Sequence, residues 1–219
     1  MEPRVLRMLD DPPDPELLAR VTRHLEGGGL VAMPTETVYG FGSALQEEPL
    51  LGLGRMKART AEKPFLVLVP GVKSVRDLHW TPTALALAEV FWPGALTLVL
   101  RDEEGLFPPG VRSPGGSVAI RQSPHPLARA VVEALGAPVV STSANPPGKP
   151  PALSAREAWD TARGLGAGEE LWVLDAGTLD PSAPSTIVDC TGQEPVVLRA
   201  GSIPVNRIRC VLPDLPEPQ

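Results

Sequence analysis

The stretch LVAMPTETVYG, residues 30–40, joins an uninterrupted apolar run to a cluster of polar side chains. The four apolar residues at its start have the length and composition of a buried strand. Residues 34–40 then bring two hydroxyls, a carboxylate and a phenol together, and the segment ends at Gly40. Polar groups at a strand end are typical of ligand sites in open α/β sheets. The stretch therefore predicts an α/β domain with a binding site at the end of this strand.

Helix and strand signals alternate on both sides of this stretch, without an internal repeat. Upstream, Asp14 and Pro15 predict the start of an amphipathic helix, which ends at the glycines of residues 27–29. Downstream, apolar periodicity and capping residues predict further helices and strands. The predicted helices cover residues 50–57, 82–91, 126–135 and 155–163, and the predicted strands cover residues 65–69, 96–100, 117–121, 138–142, 171–174, 186–189 and 196–198.

Length and composition favour a single domain of the α+β (mixed α/β) class. The 219 residues, 42% of them hydrophobic, are enough to bury one substantial core. We predict a twisted mixed β-sheet flanked by helices over residues 1–203. Residues 204–219 are rich in proline and poor in apolar side chains, so we predict a C-terminal tail there.

Charge, cysteine content and hydropathy exclude several classes of protein. A net charge of −6 and a pI near 5.2 argue against a surface built to coat nucleic acid, so any basic site is local and faces inward. Cys190 and Cys210 have neither the spacing of a zinc site nor that of a disulfide framework. No apolar run has the length of a transmembrane helix, and the N-terminus lacks a signal pattern. We therefore expect a cytoplasmic protein that does not contact membranes.

Lys57, Arg59 and Lys63 place three cations within seven residues and form the first candidate for an anion site. Phosphate and carboxylate groups are the natural ligands of such a cluster. A solvated basic loop is the alternative, and spacing alone does not separate the two. Residues 71–74 superficially match a phosphate-binding loop but lack its glycines.

Residues 101–116 form a long predicted connection that contains several prolines and glycines and no periodicity. Connections of this length are more often functional or mobile than structural. A lid over a binding site is one use that such a loop could have.

Blocks of sequence in a fixed order identify a family resemblance. Any one block is a weak signal, whereas all of them in the right order are highly specific. The chain resembles the YrdC/Sua5 family over residues 14–203, through the blocks Pro34-Thr35-Glu36-Thr37-Val38-Tyr39-Gly40, Lys57-x-Arg59 with Lys63-Pro64, Pro93-Gly94-x-x-Thr97, Ala119-Ile120-Arg121, Ser143-Ala144-Asn145 and Ser185-Thr186-Ile187-Val188-Asp189.

This resemblance implies a concave basic site and a nucleotidyltransferase activity. Family members make L-threonylcarbamoyladenylate from L-threonine, bicarbonate and ATP and release pyrophosphate, as the first step toward N6-threonylcarbamoyladenosine at position 37 of tRNA. Mg²⁺ is expected to accompany ATP, held by phosphate oxygens and water with no protein metal ligand. The product is expected to pass to a tRNA threonylcarbamoyl transferase complex, and direct tRNA binding is not expected.

The resemblance also implies roles for individual residues. The catalytic signatures Lys-x-Arg and Ser-x-Asn correspond to Lys57, Arg59, Ser143 and Asn145. The L-threonine site corresponds to Thr35, Arg121, Ser141 and Ser185, with Arg121 holding the carboxylate and Tyr39 shaping the pocket. The ATP site corresponds to Arg59, Lys63, Ser117, Ser143 and Arg199.

Two other interpretations stay open at this point. A paralogous enzyme of the same fold would make a carbamoyl-adenylate from another substrate, although the intact Lys-x-Arg and Ser-x-Asn signatures favour the tRNA pathway. An RNA-binding module could use the same concavity, but the acidic pI and the lack of basic and aromatic patches count against it. The chain resembles the short form of the family, without the additional C-terminal domain of longer relatives.

Overall fold

The computed structural model describes residues 2–58, 63–213 and 215, and the strands within these ranges form one ten-stranded sheet. Its order is β1-β8-β2-β3-β7-β4-β6-β5-β9-β10, with parallel and antiparallel neighbours, which confirms the predicted mixed sheet. The strands are β1 (Arg4–Arg7), β2 (Leu30–Pro34), β3 (Tyr39–Ser43), β4 (Leu66–Leu68), β5 (Leu96–Arg101), β6 (Ser117–Arg121), β7 (Val139–Ser143), β8 (Leu171–Asp175), β9 (Thr186–Asp189) and β10 (Val196–Arg199).

Helices cover both faces of this sheet, because alternate strand residues point to opposite sides and both sides are apolar. The helices are α1 (Pro15–Glu26), α2 (Glu47–Met56), α3 (Pro82–Phe91), α4 (Pro126–Leu135), α5 (Ala155–Gly164) and α6 (Val205–Val211). One core joins α1 and α4 to Val31, Met33 and Val139 of the sheet. The other helices belong to a second core on the opposite face, which includes the sheet residues Phe41 and Val140.

The predicted helix ends are confirmed at the residues that cap them. The carboxylate of Asp14 accepts hydrogen bonds from the backbone nitrogens of Glu16 and Leu17 at 2.8 and 3.1 Å. Gly136 ends α4 in the left-handed conformation, with φ of 65°, which is costly for residues that carry a Cβ. The hydroxyl of Ser154 accepts from the backbone nitrogen of Glu157 at the start of α5.

The structure differs from the sequence prediction at β1, β3 and α6. Glycines at positions 40 and 42 hide the strand signal of β3, which forms because it is hydrogen-bonded to β2 and β7 on its two sides. Where a tail was predicted after residue 203, α6 packs against the core through the fully buried Ile208. In both places tertiary contacts outweigh weak local preference.

The connection between β5 and β6 is anchored to the protein by three buried residues, Asp102, Phe107 and Val111, and none of its residues lines the cleft described below. Its centre is Asp102, which is fully buried and accepts hydrogen bonds from the backbone nitrogens of Leu106 and Phe107 at 2.8 and 3.0 Å. Arg112 lies 3.3 Å from the same carboxylate. Val111 is fully buried in the core. These contacts give the anchored part of the loop a structural role, and its use as a lid stays a prediction.

We expect Asp102→Asn to lower the free energy of unfolding by about 2–4 kcal/mol. The amide keeps one acceptor oxygen, but it cannot accept from both backbone nitrogens and it loses the charge that faces Arg112. Urea unfolding monitored by tryptophan fluorescence measures the change. Asp160→Asn is the matched control, because it removes an exposed salt bridge with Arg156. It should change the free energy of unfolding by less than about 0.5 kcal/mol. Equal effects of the two variants would contradict this account of the loop.

Candidate functional site

A cleft of about 450 Å³ opens on the face of the sheet that carries α1 and α4. Ser141 and Ser143 line it and share the face of Val139, which packs against those helices. Ala119 and Arg121 line it from β6 on the same side of the sheet. The site therefore lies over the sheet where these two helices do not cover it, and not solely at strand ends as the sequence suggested.

Gly40 leaves room for the cleft next to β7. It is paired with Ser143 in the ladder between β3 and β7. A Cβ at this position would lie 2.8 Å from the hydroxyl of Ser141 and 3.2 Å from the carbonyl oxygen of Thr142. The absence of a side chain on this strand thus keeps the floor of the cleft open, a use of glycine that its sequence neighbours do not reveal.

Arg121 is the most deeply buried cation in the described wall of the cleft, with 4% of its surface exposed. Its Nη1 lies 3.4 Å from Oε1 of Glu36. Its Nε is buried and has no hydrogen-bond partner within the described residues. Burial holds the pKa of the Arg121 guanidinium below its ordinary value, and the negative charge of Glu36 opposes this shift. A buried cation with unused donor capacity is a receptor for an anion.

Arg199 brings a second guanidinium to the same cleft. Its Nε donates to the backbone oxygen of Ser185 at 3.0 Å, and its Nη2 donates to the hydroxyl of Ser185 at 3.1 Å. That hydroxyl also lies 2.9 Å from the hydroxyl of Thr97. The pKa of Arg199 is held below its ordinary value, mainly by burial and to a smaller extent by repulsion from the positive charge of Arg121. A bound anion would relieve this repulsion.

Thr35 closes the turn between β2 and β3 and lines the cleft. Its hydroxyl donates to the backbone oxygen of Val38 at 2.8 Å and accepts from the backbone nitrogens of Thr37 and Val38 at 3.3 Å. These local hydrogen bonds hold the turn in place, and threonine hydroxyls form bonds of this kind in many loops. The polar turn that the sequence predicted is therefore confirmed, and it covers residues 35–38 between the two strands.

Lys57 organises the segment that follows β7. Its buried ammonium donates to the backbone oxygen of Ser143 and to Oδ1 of Asn145, both at 2.8 Å, and also to the backbone oxygen of Asn145. The hydroxyl of Ser143 donates to the same Oδ1 at 2.5 Å. Two signatures that are 86 residues apart in the chain are thus joined through one side chain.

The structure brings most of the predicted site residues together. The cleft is lined by Thr35, Arg121, Ser141, Ser143, Ser185 and Arg199, and Lys57 and Asn145 are bonded to Ser143. The described lining residues include neither Lys63 nor Ser117, whose hydroxyl lies 2.8 Å from that of Ser113. The position of Arg59 lies outside the described residues. The ligand assigned to each of these residues stays a prediction.

Hydroxyl-bearing residues that the sequence analysis did not assign also line the cleft. Thr97 lies within one of the family blocks, so its position was visible in the sequence although its role was not. Ser182 lies in an irregular segment before β9 that gave no signal, and its hydroxyl donates to the backbone oxygen of Thr37 at 3.2 Å. The unassigned lining residues of this type are Thr37, Thr97, Thr142 and Ser182.

Tyr39 acts on the site from behind rather than from its wall. The side chain is fully buried on the opposite face of the sheet and is not among the lining residues. Its hydroxyl donates to the backbone oxygen of Gly177 at 2.7 Å and accepts from the backbone nitrogen of Ala176 at 3.3 Å. The segment held in this way continues to Ser182 and Ser185, so Tyr39 fixes the start of the segment that closes one side of the cleft.

We expect Tyr39 to ionise at about pH 12 in the folded protein, because burial raises the pKa of its phenol from 10.0 to about 12. The folded state then retains the proton that the unfolded state loses, so this contribution to stability is complete below pH 10 and is lost as the pH rises to about 12. Since Tyr39 is the single tyrosine of the chain, the ultraviolet absorbance of phenolate reports it alone. A midpoint near 10 without unfolding would contradict the buried hydrogen bond.

The described residues contain no group of three or more histidine, cysteine, aspartate or glutamate side chains placed to hold a metal ion. The only charged side chains among the described lining residues are those of Arg121 and Arg199. The donor set of the cleft is therefore suited to anions.

Within the described residues, no helix has the length and apolar composition needed to span a membrane.

Comparisons with known proteins identify a family and relatives to which this chain is similar. Residues 23–201 match the Sua5/YciO/YrdC family model, which is described as telomere recombination. The threonylcarbamoyl-AMP synthase of Bacillus subtilis (strain 168) is 34% identical over 202 residues, which cover 91% of this chain and 57% of that protein. The chain thus spans a little over half the length of this relative.

The solved structures that share the fold include the following two. P. abyssi Sua5 complexed with L-threonine matches with a TM-score of 0.87 and 30% identity, over 96% of this chain and 61% of that one. E. coli YciO matches with a TM-score of 0.80 over 95% of this chain and 100% of that one. Its identity of 23% makes this second match one of fold alone.

Proposed function

The chain belongs to the Sua5/YciO/YrdC family, and we propose that it synthesises L-threonylcarbamoyladenylate from L-threonine, bicarbonate and ATP with release of pyrophosphate. The observation that carries this proposal is the pair of guanidiniums, Arg121 and Arg199, in one cleft rich in hydroxyl groups. All three substrates bear negative charge, on the carboxylate of L-threonine, on bicarbonate itself and on the phosphates of ATP. The relative of known structure that binds L-threonine has the same fold.

Threonine would bind at the Arg121 side of the cleft. A buried guanidinium that retains donors receives a carboxylate at two points, which fixes the amine relative to the wall. The hydroxyls of Thr35, Ser141 and Ser185 lie in the same wall and offer partners for the amine and the side-chain hydroxyl. The neutral amine then attacks bicarbonate, or carbon dioxide derived from it, and forms a carbamate with loss of water.

The carbamate oxygen would attack the α-phosphorus of ATP, and the bond from that phosphorus to the β-phosphate oxygen breaks as pyrophosphate leaves. The protein contributes positioning and stabilisation of negative charge, since it offers cations and hydroxyls rather than a nucleophile. Arg199 is the described lining cation that remains for the phosphates once Arg121 holds the carboxylate. The Ser143 and Asn145 segment, held by Lys57, forms the adjoining wall.

Mg²⁺ would enter as part of the ATP substrate. Mg²⁺ prefers oxygen ligands and keeps several waters, and phosphate oxygens supply the remainder. The hydroxyl-rich wall is compatible with waters bound to such an ion, and the guanidiniums suit the phosphate charges that the ion leaves uncompensated. No residue of this chain is assigned as a direct metal ligand.

The product, a mixed anhydride of a carbamate and AMP, is reactive toward water and must be consumed by a second enzyme that transfers the threonylcarbamoyl group to adenosine 37 of tRNA. We place this activity in the cytoplasm, where tRNA and ATP are available. Handover to a tRNA threonylcarbamoyl transferase complex is part of the same proposal.

Pyrophosphate release tests the proposal. We expect release only when ATP, threonine and bicarbonate are supplied together, with a product whose mass equals that of threonylcarbamoyl-AMP. Release that does not depend on threonine would contradict the proposed function. Release that is faster with another amino acid or with carbamoyl phosphate would instead assign the chain to a paralogous carbamoyl-adenylate enzyme of the same fold.

A further inference from the structure

Glu36 lies beside the cleft with its two carboxylate oxygens in different environments. Oε2 accepts a hydrogen bond from the hydroxyl of Ser123 at 2.5 Å. Oε1 lies 3.4 Å from Nη1 of Arg121, and it is buried without a hydrogen bond to any described residue. The side chain of Glu36 is 14% exposed. The carboxylate is therefore fixed at one oxygen and faces a guanidinium with the other.

Arg121 is the last residue of β6, and Glu36 is the acidic side chain within ion-pair distance of its guanidinium among the described residues. The side chain is 5% exposed, and its Nε has no partner within the described residues. Two-point recognition of a planar anion requires the plane of the guanidinium to be held, since a rotation moves both nitrogens out of line. Glu36 faces one nitrogen of the group and so limits that rotation.

Two explanations of this ion pair predict opposite effects when the charge of Glu36 is removed. If Glu36 only offsets positive charge, its removal leaves Arg121 and Arg199 uncompensated and strengthens the binding of any anion. If Glu36 holds the orientation of Arg121, its removal weakens the binding of a carboxylate. Ser123 favours the second explanation, because charge compensation varies slowly with distance and does not need a carboxylate fixed by a hydrogen bond.

We propose that Glu36 is a positioning residue, which holds the Arg121 guanidinium in the orientation that receives the substrate carboxylate, and that Ser123 fixes Glu36 in turn. The identity of that carboxylate as threonine rests on the proposed function. The relation between Glu36 and Arg121 does not rest on it, because it is a property of the protein without ligand.

Kinetics of Glu36→Gln test the proposal on the active protein. The amide keeps the size of the side chain and an acceptor for Ser123 but removes the charge that faces Arg121. We expect the KM for threonine to rise about tenfold while kcat and the KM for ATP change by less than about twofold. Ser123→Ala should shift the same constant in the same direction by a smaller factor. A threonine KM that is unchanged or lower in Glu36→Gln would overturn the proposal.

Glu133→Gln is the matched control, because it makes the same chemical change in an exposed pair with Arg129. We expect its threonine KM to equal that of the unmodified protein. Thermal unfolding of all variants shows whether an effect on KM is separate from an effect on folding.

A measurement without substrate separates this proposal from the proposed function. The Arg121 Nε–H gives a ¹⁵N NMR signal, which is identified by its loss in Arg121→Lys. Because Nε is buried, this proton should exchange slowly with water in the unmodified protein and in Glu133→Gln. In Glu36→Gln the guanidinium is no longer held by the carboxylate, so the same proton should exchange with water at least about tenfold faster. Equal exchange rates would overturn the positioning role even if the enzyme is active. If pyrophosphate release proves independent of threonine, the exchange rates still decide the role of Glu36.

Discussion

The Arg121→Lys variant is expected to use threonine about 100-fold less efficiently, as measured by kcat/KM for pyrophosphate release. Lysine keeps the positive charge next to Glu36, so the buried carboxylate still has a counter-ion and the fold should persist. It lacks the planar set of donors, and its ammonium cannot face Glu36 and receive a carboxylate at two points. The loss should therefore appear mainly in the KM for threonine.

Two comparisons make the Arg121→Lys result specific. Arg129→Lys makes the same change on the exposed surface of α4 and should leave kcat/KM within about twofold of the unmodified value. The KM for ATP should stay nearly constant in Arg121→Lys, because Arg199 is unchanged. An equal rise in the KM values for ATP and threonine would mean that Arg121 serves the nucleotide, and it would contradict the division of the cleft proposed above.

The Lys57→Met variant is expected to lose at least about 99% of its pyrophosphate release and to be less stable by about 2–4 kcal/mol. Methionine has a similar length but donates no hydrogen bonds. The backbone oxygens of Ser143 and Asn145 and the amide oxygen of Asn145 then lose a shared, buried donor. Activity should fall because the segment that forms one wall of the cleft is no longer held, and stability should fall because buried acceptors lose a bond.

Activity assays at a temperature well below the transition, combined with urea unfolding, separate the two effects of Lys57→Met. Lys73→Met is the control on the surface, where the side chain is exposed, and it should change stability by less than about 0.5 kcal/mol. Full activity in a destabilised Lys57→Met protein would show that the ammonium serves the fold alone. In that case the wall formed by Ser143 and Asn145 keeps its shape without it.

Elements with strong local signals were predicted within a residue or two. β6 and α4 lie at the predicted positions, since Ser117–Arg121 alternates and Pro126–Leu135 is bounded by Pro126 and Gly136. β3 was missed because Gly40 and Gly42 have low strand propensity. That strand exists because its neighbours bond to it, which is information about pairing and not about the segment itself.

The sequence blocks grouped residues that the structure brings together, but they did not predict the shape of the cleft. The sequence blocks contained Thr35, Arg121, Ser143 and Ser185, and the structure places all of them in the cleft wall. The same blocks gave no sign that Tyr39 acts from the opposite face of the sheet. They also gave no sign that Glu36 pairs with Arg121, because a buried ion pair between residues 85 positions apart (121 − 36) has no local pattern.

The order of helices and strands, the caps and the chemistry of the polar blocks follow from the sequence, because they depend on residues that are close together in the chain. The position of the cleft on one face of the sheet depends on strand register and on which face α1 and α4 leave uncovered. The stretch at residues 30–40 supplies a strand, a turn and the first residues of the next strand. Its Glu36 and Tyr39 acquire partners, Arg121 and Gly177, only when distant segments meet in the folded chain.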